Sequence, residues 1–329
     1  MMKRPRTPES GIVLMLVIWV IAILMVVALS LSLTARSQTL ATLAFKDRIK
    51  GKFLAEAGIQ RAITELCYMN KNWIVNGIDQ QQNAWRADGT VYNGTVDNGG
   101  NGGNGGDGNY SVSIMGETGK IDLNMVPETI LENLVMQLGV SDGDAETISD
   151  SIMDWKAASG LARAHGAGDD FYMSLQNPYK AKHSNFEVME ELLPVNGMIP
   201  KLLFGTGGKK GLIDLATVNS KSLAVNVNYA PREVLLSLPG MSPDMADQII
   251  NYRDQQKIAN PQELQTLLGA YYAPLSPYLT TADTNVFTIE AMGYANNGKA
   301  GYPIRATVLM DFANSSYKYL CYKSPAYRY

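Results

Sequence analysis

The side chains with the chemistry for catalysis or metal binding are few in this chain. Its 329 residues include two histidines, His165 and His183, and two cysteines, Cys67 and Cys321. No HExxH zinc motif and no GxxxxGK[ST] phosphate-binding motif occurs. Two cysteines without CxxC spacing leave either one disulfide or two free thiols. The sequence therefore predicts a protein that is not an enzyme and requires no cofactor.

An acidic turn offers the best set of candidate metal ligands. Asp169 and Asp170 lie beside Gly166 and Gly168, and Glu187 follows further along the chain. Carboxylate oxygens are the hard ligands that Ca²⁺ prefers. These three acids are therefore candidate calcium ligands, and a solvated acidic turn is the alternative interpretation.

The bulk composition excludes two classes of protein. Hydrophobic residues make up 46% of the chain, which is enough for a folded core and excludes a disordered protein. The formal charge is -3, so the chain as a whole lacks the basic surface that nucleic acid would need. Nucleic acid is therefore not an expected partner.

An uncharged apolar run follows a short basic head at the N-terminus. From Ile12 to Leu33 a helix would rise about 1.5 Å per residue and cover roughly 30 Å, the hydrocarbon thickness of a bilayer. The run exceeds the roughly 7–15 apolar residues of a secretory signal peptide. Lys3, Arg4 and Arg6 precede it, so the positive-inside rule predicts a cytoplasmic N-terminus and an exocytoplasmic remainder. An uncleaved anchor is the simplest interpretation, and a cleaved signal is the alternative.

Hydrophobic periodicity predicts one long helix, an antiparallel sheet and a helical region inserted into the sheet. Beyond the membrane, Ala55, Ile59, Ile63 and Cys67 recur every four residues and form a stripe suited to packing on a sheet. The glycine-rich stretch 97–109, with a weak GGxGxD calcium pattern at 102–107, predicts a flexible loop. Period-two alternation predicts strands at 110–114, 287–291, 304–312 and 317–323, on both sides of a helical region at about 122–283.

The helical region contains an internal repeat. IDLNMVPETILENL at 121–134 and VNVNYAPREVLLSL at 225–238 share an extended piece, an Asn and a Pro, and each continues into a glycine turn and a second helix. The second copy resembles a helix-hairpin-helix, whose glycine turn contacts phosphate in DNA-binding proteins. Ser242 replaces a second glycine, and Asp244 and Asp247 follow, which works against phosphate contact. We predict a structural or protein-contact role, with membrane-anchored DNA uptake as the alternative.

Several motifs together resemble the K-type minor pseudopilins of the bacterial type II secretion system, the GspK family. The leader junction at Gly11–Ile12 is similar, and Leu16 stands where most prepilin-like proteins have Glu. The other motifs are AEAGIQRAI (55–63), the DLN and NVNYAP units, DWKAASG (154–160), GAGDDFYMSLQNPYKAKHSNFEVMEELLPVNGM (166–198) and FTIEAMGYA (287–295).

The resemblance implies an α+β fold. A long N-terminal helix packs on an antiparallel sheet, and a large all-α, helix-hairpin-helix or SAM-like domain interrupts this pilin-like domain. The implied parts are a prepilin leader (1–11), a transmembrane segment (12–33), the pilin-like domain (34–121 and 284–329) and the helical insertion (122–283).

The resemblance also implies processing and location. A prepilin peptidase would cleave after Gly11 and methylate the amine of Ile12. The protein would be a single-pass inner-membrane protein of a Gram-negative type of bacterium, with its bulk in the periplasm. An oxidising periplasm favours a disulfide between Cys67 and Cys321.

The implied function is that of a structural subunit at the tip of the pseudopilus, which initiates and caps the filament that drives export of folded proteins. The implied partners are the I-, J- and H-type minor pseudopilins, the major pseudopilin, the prepilin peptidase, inner-membrane lipid, and the secretin or exoprotein cargo. A charge within a membrane costs about 2.5–3.5 kcal/mol unless it is paired, so Leu16 suits a subunit with no neighbour above it. A minor pilin of a type IV pilus is the alternative.

Overall fold

The computed structural model describes residues 9–75, 85–96, 108–159, 161–295 and 301–326. The predicted leader up to residue 8 and the glycine-rich residues 97–107 lie outside these ranges. The helices are α1 (Glu9–Val75), α2 (Glu128–Gln137), α3 (Asp142–Lys156), α4 (Asp169–Met173), α5 (Pro200–Phe204), α6 (Leu212–Leu215), α7 (Arg232–Leu236), α8 (Pro243–Gln255), α9 (Pro261–Leu268) and α10 (Tyr272–Leu275). The strands are β1 (Asp88–Val96), β2 (Gly108–Gly116), β3 (Ile121–Asp122), β4 (Ala216–Thr217), β5 (Val225–Asn226), β6 (Leu279–Thr280), β7 (Val286–Tyr294), β8 (Tyr302–Asp311) and β9 (Ser316–Lys323).

Five strands form an antiparallel sheet in the order β1-β2-β7-β8-β9. Alternate residues of the central strands point to one face, where Val112, Ile289 and Ala306 are buried. The C-terminal half of α1 covers this face and buries its apolar stripe, including Ile59 and Ala62, in the same core. Removing these apolar surfaces from water holds the helix on the sheet. The predicted α+β fold, a long helix on an antiparallel sheet, is confirmed.

Two glycines set how closely α1 approaches the sheet. A Cβ atom on Gly293 of β7 would lie 2.5 Å from the amide nitrogen of Ala55 and closer still to the carbonyl oxygen of Gly51. A Cβ atom on Gly58 would lie 2.9 Å from the ring of Tyr110. The backbones of helix and strand are therefore in direct contact, which fixes the direction of α1 relative to β7.

The first edge of the sheet differs from the prediction. β1 has the sequence DGTVYNGTV, and most of its side chains are at least partly exposed, so it lacks the alternation by which the other strands were predicted. β2 begins at Gly108, so the last two residues of the predicted loop belong to a strand. A Cβ atom on Gly108 would overlap the side chain of Leu54, so glycine at this position allows α1 to pack closely on β2.

The helical lobe, residues 121–280, consists of two copies of one unit. Each copy begins and ends with a short strand, and these two strands pair in parallel, β3 with β4 and β5 with β6. A helical hairpin, α2–α3 or α7–α8, follows the first strand of each copy. Asn133 of α2 donates a hydrogen bond to the carbonyl of Ser237 just after α7, at 3.1 Å. The two hairpins therefore pack against each other.

Matching asparagines hold each copy of the unit together. Asn124 accepts a hydrogen bond from the amide of Phe186 at 2.8 Å and donates one to the carbonyl of the same residue at 3.0 Å. Asn228 makes the same pair of bonds with Ile258, each at 2.9 Å. Each asparagine thus satisfies both backbone groups of one residue, the amide and the carbonyl, as a neighbouring strand would in a sheet.

Replacing Asn228 by leucine is expected to destabilise the protein by about 2–4 kcal/mol, because the amide and the carbonyl of Ile258 lose their partners in a buried site. The measurement is the thermal unfolding of the chain in detergent. The exposed Asn251 of α8 serves as the control, and Asn251→Leu should change the stability little. Equal effects of both substitutions would contradict the role given to Asn228.

Candidate functional site

The apolar half of α1 is an exposed surface that the rest of the chain does not cover. An 18-residue window within the helix has a mean hydropathy of 3.4, and none of it is buried. Leu16 is 63% exposed. No acidic residue occurs between Glu9 and Asp47 in the sequence. The helix is long and apolar enough to cross a membrane once, and it offers no carboxylate there.

The predicted calcium ligands Asp169, Asp170 and Glu187 do not come together. Asp169 Oδ1 accepts hydrogen bonds from a backbone amide and from Nε2 of His183, each at 3.0 Å. Glu187 pairs with Lys182 at 3.4 Å. Within the described ranges no three acidic, histidine or cysteine side chains gather to hold a metal ion. Nitrogen donors contact Oδ1 of Asp169 and Oε1 of Glu187, and the described residues gather no calcium site around these acids.

His183 is held between two hydrogen-bond acceptors. Its Nδ1 lies 2.7 Å from the carbonyl oxygen of Ala157, and its Nε2 lies 3.0 Å from Oδ1 of Asp169. A carbonyl and a carboxylate only accept, so both hydrogen bonds form together only when both ring nitrogens carry a proton. The hydrogen bond to Ala157, and after it the bond to Asp169, raises the pKa of His183. The protonated form of His183 therefore links these two residues.

Replacing His183 by glutamine is expected to destabilise the protein more at about pH 5.5 than at about pH 8.5. Because the pKa of His183 is raised in the folded protein, its stabilisation is fully present at low pH and is lost as the pH rises through the raised pKa. The measurement is the difference in unfolding temperature between the variant and the parent at both pH values. His165, which is 57% exposed, is the control: His165→Gln should change the unfolding temperature little. A pH-independent effect of His183→Gln would contradict the link.

A three-carboxylate cluster holds the neighbouring segment, and sequence reasoning missed it. The guanidinium of Arg163 lies 2.8 Å from Asp154, 3.0 Å from Glu128 and 3.8 Å from Asp150. Asp150 also accepts a hydrogen bond from the backbone amide of His165, and Asp154 accepts one from the backbone amide of Arg163. Two acids four residues apart on α3 share one helix face, and that spacing was the signal available in the sequence.

The two cysteines are both free and lie on opposite faces of the sheet. Cys67 packs from α1 against the core on the helix-covered face. Cys321 pairs with Thr307, whose hydroxyl bonds to Thr288 on the other face. A bulge between the pairs Thr307–Cys321 and Val308–Tyr319 shifts the alternation of β9, which turns Cys321 away from the helix. The predicted Cys67–Cys321 bridge is therefore not formed.

A buried ion pair lies where the far face of the sheet meets the helical lobe. Lys120 Nζ is 2.7 Å from Glu117 Oε1, and each side chain is 3% exposed. The hydroxyl of Thr217, on β4 of the lobe, donates to Glu117. Burial raises the pKa of Glu117, but the charge of Lys120 and the hydrogen bonds outweigh it, so the pKa is lowered. The carboxylate therefore stays ionised inside the protein.

A second polar contact joins the same two parts of the chain. Arg305 of β8 donates a hydrogen bond to the carbonyl of Ile213 in the lobe at 2.9 Å, and it pairs with Glu290 at 3.2 Å. Lys323 of β9 pairs with Glu190 of the lobe. These bonds and the buried ion pair connect three elements of the sheet region to the lobe, so the junction is a continuous polar interface.

One short sequence motif was overlooked in the sequence interpretation. Residues 139–143, GVSDG, match the GxSxG pattern of a nucleophile elbow. An elbow needs a strand before the turn, but this segment joins α2 to α3. The hydroxyl of Ser141 donates to Asp144 at 2.7 Å. The motif is therefore a helix-hairpin turn, and Ser141 is the N-cap residue of α3.

The turn of the second hairpin combines a glycine of positive φ with acidic neighbours. The φ angle of Gly240 is +82°, in the left-handed region that glycine adopts more easily than other residues. The side chain of Ser242 accepts a hydrogen bond from the amide of Met245 and caps α8. Asp247 is paired with Arg232 at 2.6 Å. Because the hydroxyl of Ser242 already accepts the hydrogen bond of the Met245 amide, that amide is not available to a phosphate. Asp247 neutralises the charge of Arg232.

Both copies of the unit correspond to known family models. Residues 116–204 match the first of two models described as type II secretion system (T2SS), protein K, and residues 225–282 match the second. The chain belongs to the type II secretion system protein K family. The two matched ranges of this protein K family member follow the two copies of the lobe.

Two relatives extend the comparison. Type II secretion system protein K of Pectobacterium carotovorum subsp. carotovorum is 25% identical to this protein K family member over 144 residues, which are 42% of each chain. The chain thus matches less than half the length of that relative. A chain in the crystal structure of the GspK-GspI-GspJ complex from the enterotoxigenic Escherichia coli type 2 secretion system aligns with a TM-score of 0.60 and 15% identity. The alignment covers 87% of this chain and 100% of that one, and it shows a shared fold.

Proposed function

We propose that this protein is a structural subunit, a minor pseudopilin that forms the tip of the periplasmic pseudopilus and initiates and caps it. The exposed apolar half of α1 with Leu16 is the observation that carries the proposal. A carboxylate at this depth costs about 2.5–3.5 kcal/mol unless a cation pairs with it. A tip subunit has no neighbour above it to supply that cation, so an apolar residue is the favourable choice. Other subunits would then join only from below.

The proposed partners are the I-, J- and H-type minor pseudopilins and the major pseudopilin. The solved structure that matches is titled as a GspK-GspI-GspJ complex, which supports the first two. In this protein the sheet covers only one side of the C-terminal half of α1, and side chains such as Phe53 and Tyr68 remain exposed on the other. Helices of neighbouring subunits would pack on that exposed side, and the lobe would face the secretin or cargo.

The proposed topology has a cytoplasmic N-terminus and a periplasmic bulk, with one pass through the inner membrane. A prepilin peptidase would cut between Gly11 and Ile12, after which the helix leaves the membrane for the filament. Lys3, Arg4 and Arg6 support this orientation. The work of the protein would be binding and assembly.

Mass spectrometry of the N-terminus of the protein purified from its host tests the proposal. A mature chain that begins with N-methylated Ile12 is the expected result. An intact Met1, or cleavage near Ala35, would sink the assignment. A Gly11→Leu variant, which should remain uncut, is the control for processing at this junction.

A further inference from the structure

A line of apolar side chains runs along an exposed side of α1, beyond the apolar segment. Phe45, Ile49 and Phe53 are spaced four residues apart, so they lie on one side of the helix. Phe45 is 64% exposed and Phe53 is 63% exposed. The sheet contacts a different side of the helix, where Ala55 meets Gly293 of β7. The described residues therefore leave this apolar line in contact with solvent.

Basic side chains flank the apolar line on both sides. Each lies one residue before or after one of the apolar residues, which places it about 100° around the helix from that residue. The basic residues are Lys46 and Lys50 on one flank, and Arg48 and Lys52 on the other.

The segment 45–53 carries a charge of the opposite sign to that of the whole chain. Four cations and one acid, Asp47, give it a formal charge of +3, whereas the whole chain carries -3. Asp47 lies two residues from Phe45 and two from Ile49, so it is on the opposite side of the helix from both. We call the segment 45–53 the cationic ridge, because it combines an apolar centre with basic flanks.

Contacts within the chain leave the ridge cationic. Lys52 Nζ lies 3.6 Å from Glu56 one helical turn further on, and exposed pairs of this kind hold their partners only weakly. The guanidinium of Arg48 lies 5.9 Å from the centre of the Tyr302 ring, which is a neutral group. The flanks therefore attract acidic groups from outside the chain.

Lipid headgroups lie too far from the ridge to be these acidic groups. α1 is one continuous helix from Glu9 to Val75, and a helix rises about 1.5 Å per residue. Phe45 to Phe53 then lie about 18–30 Å beyond Leu33, where the proposed membrane segment ends. The headgroup layer outside the hydrocarbon core is only about 5–8 Å thick. The ridge therefore stands in the aqueous space above the membrane, within reach of other proteins.

A second copy of this chain is a poor partner for the ridge as well. The helix of another copy, anchored in the same membrane, would run parallel and present the same cations. Charged residues beside an apolar helix seam select the partner, because opposite charges attract and like charges repel. The ridge therefore disfavours its own kind and favours a helix with acidic flanks.

We propose that the cationic ridge is the docking site for an α-helix of a different subunit, one whose apolar stripe is flanked by aspartate or glutamate. Phe45, Ile49 and Phe53 supply the apolar contact, and the basic flanks select the partner. The inference rests on the proposed function, since it takes the helix to belong to another pseudopilin, but it does not depend on processing at Gly11. It also implies that two copies of this chain do not stand side by side in an assembly.

Crosslinking of the full chain in its native host tests the proposal. A photo-crosslinking phenylalanine analogue replaces Phe53, and the same analogue replaces Tyr271 of the lobe, which is likewise 63% exposed. Mass spectrometry identifies the captured peptide. We expect position 53 to capture a segment of a different chain in which Asp or Glu accompanies apolar residues at helical spacing.

Four results of this experiment would overturn the proposal. They are no excess over position 271, capture of a second copy of this chain, capture of lipid, and capture of a helix without acidic flanks. The last result would leave the proposed function intact if that helix belongs to another pseudopilin, so the failure of this inference is distinguishable from the failure of the proposed function.

Charge reversal makes the same test quantitative. Lys46→Glu with Lys50→Glu turns attraction into repulsion along one flank and should reduce the crosslink from position 53 about tenfold. Lys201→Glu with Lys209→Glu is the matched control, because it changes the net charge equally at exposed positions of the lobe. The control should leave the crosslink unchanged, and equal crosslinking in both double variants would overturn the proposal.

A compensating change in the partner completes the test. Replacing the acids of the captured segment by lysine should restore the crosslink to the Lys46→Glu, Lys50→Glu variant, because the two flanks are again opposite in charge. No recovery would overturn the proposal. The unfolding temperatures of the variants check the fold, and Arg48→Glu with Lys52→Glu, on the other flank, replaces the first pair if that pair fails to fold.

Discussion

Replacing Gly293 by alanine is expected to destabilise the protein by about 3 kcal/mol, the upper part of the range for overpacked sites. The new Cβ atom would lie 2.5 Å from the amide nitrogen of Ala55 and closer still to the carbonyl oxygen of Gly51. Both obstacles are backbone atoms, so no side-chain rotation relieves the overlap. α1 must then lift from β7, which exposes core residues such as Ile59 to water.

Thermal unfolding of the detergent-purified chain measures this effect, and a loss of 3 kcal/mol corresponds to roughly 6–12 °C for a domain of this size. Gly143→Ala is the matched control, because Gly143 lies in α3 with open space around its Cβ position. Alanine there should stabilise the helix by about 0.5–1 kcal/mol. The same chemical change thus has opposite signs at two sites. A tolerated Gly293→Ala would refute the direct contact between helix and sheet.

Replacing Lys120 by methionine is expected to destabilise the protein by about 3–5 kcal/mol, the usual cost of removing one partner of a buried ion pair. Methionine fills most of the lysine volume, so the main effect is that Glu117 loses its cation while it stays buried. The carboxylate must then take up a proton or draw in water. Because Thr217 of the lobe also bonds to Glu117, the loss weakens the junction between lobe and sheet.

Three measurements make this prediction specific. The double variant Lys120→Met with Glu117→Gln should recover much of the stability, because it removes both charges. Lys210→Met, which breaks the exposed pair with Glu233, should cost about 0–1 kcal/mol. An additive double variant, or equal effects of the two lysine substitutions, would contradict the prediction.

The pH dependence follows from the sign of the shift at Glu117. Its pKa is lowered in the folded protein, so its stabilisation is present above the unfolded pKa and is lost as the pH falls through the folded pKa. In the Lys120→Met variant the carboxyl group is protonated more easily. The gap in stability between this variant and the parent should therefore shrink on acidification, and a constant gap would exclude an ionic origin.

Sequence periodicity was sufficient for the elements that bury one regular face. The strands around Val112, Ile289 and Ala306 alternate cleanly because one side packs on α1 and the core admits only apolar side chains there. The apolar stripe of α1 follows from the same constraint. The edge strand β1 could not be predicted in this way. Most of its side chains contact water, so no buried face requires apolar residues at alternate positions.

The candidate sites were harder to predict, because they depend on contacts between distant segments. The bulge in β9 turns Cys321 to the far face of the sheet. The position of this bulge could not be predicted from the alternation of apolar and polar residues, because the bulge interrupts that alternation. Asp169 was interpreted as a metal ligand, but its partner is a histidine fourteen residues later that meets it only in the folded loop. Only the folded structure shows that Tyr172 and Tyr179 stack on each other.

The place of the lobe within the sheet imposes an order of folding. β2 and β7 are hydrogen-bonded neighbours, yet the whole lobe separates them along the chain. Closing a loop costs more entropy as the flexible chain within it grows, and a folded lobe shortens that chain to a few residues at each end. The lobe should therefore fold first, and the strands β7 to β9 join afterwards. A complete sheet then requires an intact lobe, so damage to the lobe would leave β2 and β7 unpaired.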